Sequence, residues 1–324
     1  MQNIVITGGS GVIGSHLADA LIKNGCSVTV IDNLATGKIK NVEHLLEHPD
    51  FHIINDTIMN EPLMDELIRG CSAVYHLAAA VGVKYICDDP LQGILTNVRG
   101  TEIVLDLAFK YWKRVIFAST SEIYGRSDKV PFKEDSERIL GSTKVDRWSY
   151  STSKALDEHL CFAYSAKGLP VSIVRYFNSY GPRIDERGYG SVVAKFISQA
   201  LKNEPMTVHG DGKQTRCFTY IEDTIRGTLL AGSMKEALGE AFNIGNNRET
   251  TILELAEMIK ELTGANSEIV KLPYEEFYGY RYEDTRRRIP DIDKAGRLLG
   301  FKPGVDLSEG LRKTIAWAGE HYGR

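Results

Sequence analysis

Four glycines between an apolar run and an amphipathic stretch constrain this chain before anything else does. The run is Ile4-Val5-Ile6, and the turn that follows is Thr7-Gly8-Gly9-Ser10-Gly11-Val12-Ile13-Gly14. The β-branched run has the character of a strand buried on both faces. From Val12 to Gly25, Ile13, Leu17, Leu21 and Ile22 fall at helical spacing, and Asn24-Gly25 makes a stop. Glycines at such a junction allow the tight bend, let an anion approach the backbone and let the helix pack close on the strand. Gly8, Gly11, Val12, Ile13 and Gly14 are therefore the candidate pyrophosphate site. The helix start supplies free N–H groups and a partial positive charge.

A second strand, Ser27 to Ile31, ends at Asp32-Asn33, eighteen positions beyond Gly14. An acid at that strand end is placed to accept hydrogen bonds from adenosine ribose hydroxyls. Its charge would repel a 2′-phosphate, so the expected cofactor is NAD rather than NADP.

With 43% apolar and 25% charged residues, the 324-residue chain has an ordinary globular composition. The net charge of −4 and the scattered basic residues give no sign of a nucleic-acid partner. The five cysteines (26, 71, 87, 161 and 217) lack metal-type spacing, so no metal is expected, and they fit reduced thiols. The first strand begins almost at Met1, and no apolar run is long enough to span a bilayer. The expectation is a cytoplasmic enzyme with no membrane partner.

Strand-like runs recur at Phe51-Ile54, Ala73-Leu77, Arg114-Ala118 and Val171-Arg175, with helical segments between them. This alternation predicts an α/β fold, a doubly wound parallel sheet with helices on both faces. Residues 1–177 are read as the dinucleotide-binding domain. Residues 178–324 are read mainly as a smaller substrate-binding lobe, with room for segments that return to the first domain. The cleft should lie at the carboxyl ends of the strands, near Asp32, His76 and Ser119.

Asp146 to Gly168 carries Ala155, Leu156, Leu160 and Ala163 on one apolar face, as a helix would. Tyr150 and Lys154, four apart, share a face of it. An ammonium near a phenol favours the phenolate, lowering a pKa of about 10. Tyr150 is thus the candidate base for a sugar hydroxyl and Lys154 its modifier, with Thr120 bonded to the same oxygen. The carbon bearing that hydroxyl would give its hydride to the nicotinamide. His76 is read as structural, and the serine cluster lacks the nucleophile-elbow pattern of a hydrolase.

With these residues in order, the chain resembles the extended short-chain dehydrogenases/reductases that act on nucleotide sugars. The resemblance runs from Thr7 to about Gly310. It rests on the glycine turn, His76-Leu77-Ala78-Ala79, Ser119-Thr120-Ser121-Glu122-Ile123-Tyr124-Gly125 and the Tyr150-to-Lys154 pair. It also rests on Arg175-Tyr176-Phe177-Asn178-Ser179-Tyr180-Gly181-Pro182-Arg183 and on Gly210-Asp211-Gly212-Lys213-Gln214-Thr215-Arg216-Cys217-Phe218. The resemblance implies that Asp56 contacts the adenine, and that Leu77, Ala78, Ala79 and Tyr176 border the cofactor with Asp32 and Asn33. It implies substrate contacts from Lys84, Tyr85, Asn178, Arg183, Val208, Arg216 and Arg288, with Asn178 and Arg216 at the phosphates.

Oxidation at the sugar C4 makes a ketone whose fate divides the family. A C5 carboxylate leaves as carbon dioxide, a C5 hydroxymethyl group permits loss of water, and otherwise the ketone turns over and is reduced on its other face. Thr120-Ser121-Glu122 resembles UDP-glucuronate decarboxylases, with Ser121 and Glu122 steering the C5 chemistry; some 4,6-dehydratases share it. Asp32 to His44 and Arg287-Arg288-Ile289-Pro290-Asp291-Ile292 also favour the decarboxylases. Ala79 to Tyr85 departs from them, lacking their proline-rich loop and looking more like 4-epimerases. UDP-glucuronate decarboxylation is the leading reading, ahead of 4-epimerisation, 4,6-dehydration and a non-catalytic nucleotide sensor. Family members often dimerise through the Tyr/Lys helix and its neighbour near Leu95 to Lys110. Val98, Leu105, Leu156, Leu160 and Ala163 are the apolar candidates for that contact or for facing the sheet.

Overall fold

The computed structural model describes residues 1–81, 89–186, 191–273 and 284–322. Strands β1 (Asn3–Thr7), β2 (Ser27–Ile31), β3 (Phe51–Ile54), β4 (Ala73–His76), β5 (Arg114–Thr120), β6 (Val171–Tyr176) and β11 (Ala241–Ile244) form one sheet. Its order is β11-β6-β5-β4-β1-β2-β3, with every neighbouring pair parallel. The strand order reverses between β1 and β4, which is where such sheets leave a crevice at their carboxyl ends. The doubly wound parallel sheet expected from the alternation is therefore present.

Both faces of the sheet are covered, and single strands show why. Ile4 and Ile6 pack into one apolar cluster while Val5, between them, packs into the other. Val74 and Tyr75 divide in the same way, as the two-residue period of a strand requires. Each fully buried Val, Leu or Ile contributes about 1.5–3 kcal/mol relative to exposure. Helix α1 (Val12–Lys23) covers the first face with Leu17 and Leu21. Helices α2 (Glu61–Gly70), α3 (Pro90–Tyr111) and α4 (Arg147–Ala166) supply much of the second, through Met64, Val104, Leu107 and Cys161. The observed bounds of α1 and α4 lie within two residues of those read from periodicity.

Beyond residue 177 the chain builds small sheets and helices around the cleft. β7 (Ser179–Tyr180) pairs with β10 (Thr219–Tyr220), β8 (Met206–His209) with β13 (Ile269–Leu272), and β9 (Thr215–Cys217) with β12 (Glu249–Thr251). Helices α5 (Val192–Leu201) and α7 (Ile252–Thr263) pack on each other, and α9 (Leu307–His321) packs on both. α6 (Ile221–Ser233) lies against α1 and the sheet, and α8 (Asp293–Leu299) packs on β11. The chain thus returns to the sheet through β11, beside β6. No helix of the described residues is long and apolar enough to cross a membrane.

Candidate active site

The glycine turn leaves β1 at Gly8, whose φ of +70° favours glycine. A Cβ on Gly8 would stand 2.8 Å from the Ala78 backbone nitrogen, and one on Gly14 would run into the Gly8 carbonyl oxygen. Gly11 caps α1, Val12, Ile13 and Gly14 form its first turn, and that turn has neither a side-chain cap nor an acidic residue. Ser10 Oγ lies buried in the turn without a hydrogen-bond partner. Open N–H groups, an unused hydroxyl and a Cβ-free surface fit a pyrophosphate.

Asp32 follows β2 and is 8% exposed. Its Oδ2 accepts from the Ser10 N–H at 2.9 Å and its Oδ1 from the Leu34 N–H at 2.8 Å. Burial pushes this carboxyl up, and the two N–H donors pull it back. Asn33 turns on itself, accepting from the Ala35 N–H at 3.1 Å. Asp56 follows β3, its two oxygens held by the Thr57 N–H and the Asn60 amide, each at 2.7 Å. Leu77 and Ala78 are tied to β1, their N–H groups donating to the Thr7 carbonyl and hydroxyl at 3.1 Å each, and Ala79 follows half-buried. Tyr176 ends β6 with its hydroxyl 2.8 Å from Thr228 Oγ1, and burial pushes its phenol up. These groups all lie at the carboxyl edge of the sheet.

The chemistry-bearing side chains gather at the end of β5. Thr120 Oγ1 accepts from the Glu122 N–H at 3.1 Å, capping the short turn Ser121–Tyr124, and shares a hydrogen bond with Tyr150. Ser121 is buried, and Ser151 on α4 ties the helix to the turn by donating to the Glu122 carbonyl at 2.8 Å. The Glu122 carboxylate lies 2.7 Å from Arg288 and 3.2 Å from Arg147. Asp284 joins the cluster, 3.3 Å from Arg147 and 2.8 Å from Arg216. Burial alone would raise Glu122, but the arginines at 147, 288 and 216 outweigh it and hold the carboxyl at about 2. The arginines thus favour the Glu122 anion over the neutral acid.

The Tyr150 phenol does not follow the expected direction. Burial pushes it up, the charges of Glu122 and Asp157 add to that, and the Thr120 hydrogen bond pulls it down. Lys154, expected to oppose this, has its ammonium 3.4 Å from Asp157 and 3.9 Å from the centre of the Phe117 ring, inside the helix–sheet interface. His76 is fully buried, held down to about 3 by burial and by Lys154, with its nitrogens on Thr7 and Thr101. That is the neutral, structural histidine expected.

With the geometry in place, comparison with known proteins supplies the family. The model for GDP-mannose 4,6 dehydratase matches residues 5–314. The chain belongs to the GDP-mannose 4,6 dehydratase family. Within it, the chain is 45% identical to a UDP-N-acetyl-alpha-D-glucosaminuronate decarboxylase of Bacillus cytotoxicus, over 98% of this chain and 97% of that one. It is 40% identical to UDP-glucuronic acid decarboxylase 1 of Xenopus tropicalis, over all of this chain and 72% of that one. The crystal structure of a UDP-glucuronic acid 4-epimerase from Bacillus cereus, in complex with UDP-glucuronic acid and NAD, superposes with a TM-score of 0.88. The two share 33% identity, over 99% of this chain and 100% of that one.

The other residues expected to contact the substrate have these surroundings. Arg183, with φ +67°, pairs with Asp19 at 2.7 Å and lines a cavity of about 470 Å³ with Lys38, His44 and Trp317. Neither Glu122 nor Tyr150 lines that cavity. Val208 is fully buried, because an aliphatic side chain on β8 packs into the apolar core. The Asn178 amide donates to the Cys217 carbonyl at 3.0 Å, joining the end of β6 to β9. Lys84 and Tyr85 lie outside the described residues. Conversely, Arg147, Asp157 and Asp284 escaped the sequence reading. Arg147 had a signal, since it stands three residues before Tyr150 on one helix face. Asp284 had none.

Proposed function

We propose that the chain is an NAD-dependent decarboxylase of UDP-hexuronates, with UDP-glucuronate the first substrate to test and UDP-xylose or its 4-keto pentose the product. The observation that carries this reading is Glu122, held ionised among arginines beside Tyr150 and Thr120. Loss of water at C5 and C6 needs an acid for the leaving hydroxyl, which an anionic Glu122 does not provide. Loss of carbon dioxide needs no acid on the leaving group. The positive cluster also suits an anionic substrate, since Arg288 Nε and Nη2 are buried donors without partners. The names of the two relatives, both uronate decarboxylases, point the same way.

In this reading Tyr150 accepts the proton of the C4 hydroxyl, and Thr120 positions that oxygen. Lys154 supplies the positive charge that favours the phenolate. NAD, held by the glycine turn and Asp32, supplies the acceptor for the C4 hydrogen and returns it, so no net redox change accompanies turnover. Glu122 and Ser121 face the C5 chemistry, and the arginines at 147, 216 and 288 take the substrate's negative charge. We further propose a homodimer through the outer face of α3 and α4, where Leu95, Leu156 and Phe162 are 45%, 46% and 38% exposed. Leu105, by contrast, is fully buried against the sheet. Free thiols at 26, 71, 161 and 217 suit a cytoplasmic setting.

The test is mass spectrometry of products from UDP-glucuronate and its 2-acetamido counterpart. The expected result is a mass loss equal to carbon dioxide from one or both. Unchanged mass with altered mobility would replace the reading with 4-epimerisation, the activity named for the Bacillus cereus structure.

A further inference from the structure

Lys154 and Asp157 are buried together on α4, their side chains 2% and 0% exposed. The 3.4 Å between Nζ and Oδ2 is long for a directed bond, so charge more than hydrogen bonding holds the pair. Neither Asp157 oxygen takes a well-aligned hydrogen bond, although the Thr101 hydroxyl of α3 lies alongside. A carboxylate placed this way offsets its own burial mainly through the ammonium beside it. Replacing such a buried pair by apolar groups is often neutral or stabilising.

The other groups near Lys154 are neutral or already balanced. Glu158, next on α4, is taken by Arg175 of β6 through bonds of 2.9 and 2.6 Å. The Cys161 thiol, one turn on, is pushed far up by burial and stays protonated. His76 of β4 is neutral, bridging Thr7 at 2.7 Å and Thr101 at 3.1 Å. Phe117 of β5 offers a ring face, and Tyr150, one turn earlier, is a phenol that burial pushes up. Asp157 is left as the counter-charge of Lys154. A buried ammonium without one sheds its proton, and a neutral lysine gives a phenolate no support.

We propose that Asp157 is a positioning residue that keeps the Lys154 ammonium charged inside the interface and so sets the alkaline edge of activity. The proposal rests on the reading of Tyr150 as the base and Lys154 as its modifier. Burial pushes Lys154 down and Asp157 is the first group opposing it, while Asp157 itself is raised to about 6. Above that pH Asp157 carries the charge that opposes the loss of the Lys154 proton.

The experiment compares wild type, Asp157→Asn and Tyr150→Phe in the pH profile of kcat with UDP-glucuronate as probe. For Asp157→Asn the alkaline limb should move to lower pH by about one unit or more, the size of effect a charge at this distance exerts. Without substrate, the melting temperature of Asp157→Asn should gain on wild type as pH rises from about 7 to about 10. Its lysine then loses its proton on folding across more of that range, so stability climbs with pH. An unshifted limb in a folded Asp157→Asn overturns the proposal and leaves Asp157 a packing residue. If Asn is not tolerated, Asp157→Ser removes the same charge without adding volume and should give the same shift. Full activity in Tyr150→Phe overturns the base assignment, whatever Asp157 does. An inactive Tyr150→Phe with an unshifted Asp157→Asn limb overturns only the role of Asp157.

Discussion

Glu122 is where charge, position and the proposed reaction meet. Its carboxyl is held near 2 against an ordinary 4.5, so the folded state prefers the anion more than the unfolded chain does. A group with a depressed folded pKa gives its full stabilisation above the unfolded value and loses it as pH falls toward the folded one. Urea melts should therefore show wild type losing stability between pH 4.5 and about 2 more steeply than Glu122→Gln, by on the order of 3 kcal/mol. The same variant should lower kcat about a hundredfold or more at neutral pH, where wild type holds the charge and Gln does not. Equal slopes in the two melts would mean that the arginine cage does not hold the charge. Tyr150, Lys154, Thr120 and Glu122 could be singled out in the sequence because each sits in a short motif, and the structure gathers them at the end of β5. Their environment could not be read there. The Arg147 and Arg288 partners of Glu122 lie 25 and 166 residues away, a separation that periodicity cannot bridge.

Elements were legible where one local rule decided them. β1, the turn and α1 follow from apolar run, glycines and helical spacing, and the close contact of Gly14 with the Gly8 carbonyl gives the physical reason for glycine there. Gly14→Ala must move that backbone, so it should weaken NAD binding at least tenfold, about 1.4 kcal/mol, in a titration of the purified protein. Unaltered affinity would show that the turn relaxes around a methyl group. Leu105 and Leu156 lie on two neighbouring helices, yet one faces the sheet and the other solvent. Spacing along a helix groups residues on a face without saying what the face meets, and only packing separated the two.

For the whole molecule, the alternation up to Phe177 was enough for the parallel sheet, because each strand in that stretch has a covering helix nearby in sequence. The last strand was harder to see. Ala241–Ile244 is short, and its partner β6 lies about seventy residues back, so nothing local announces the pairing. A chain ending at residue 177 would leave β6 as an unpaired edge with Val171, Ile173 and Val174 beside it, where β11 now pairs from Ile173 onward. Light scattering of that fragment should reveal self-association that the full chain lacks; a monodisperse fragment would show that β6 needs no cover. The order of synthesis adds a consequence. The amino-terminal half emerges from the ribosome first and can begin to fold, yet β6 lacks its second neighbour until residue 244 is out. For that interval the nascent chain carries a bare strand, and whatever shields it then, chaperone or transient loop, is part of how this molecule reaches its final shape.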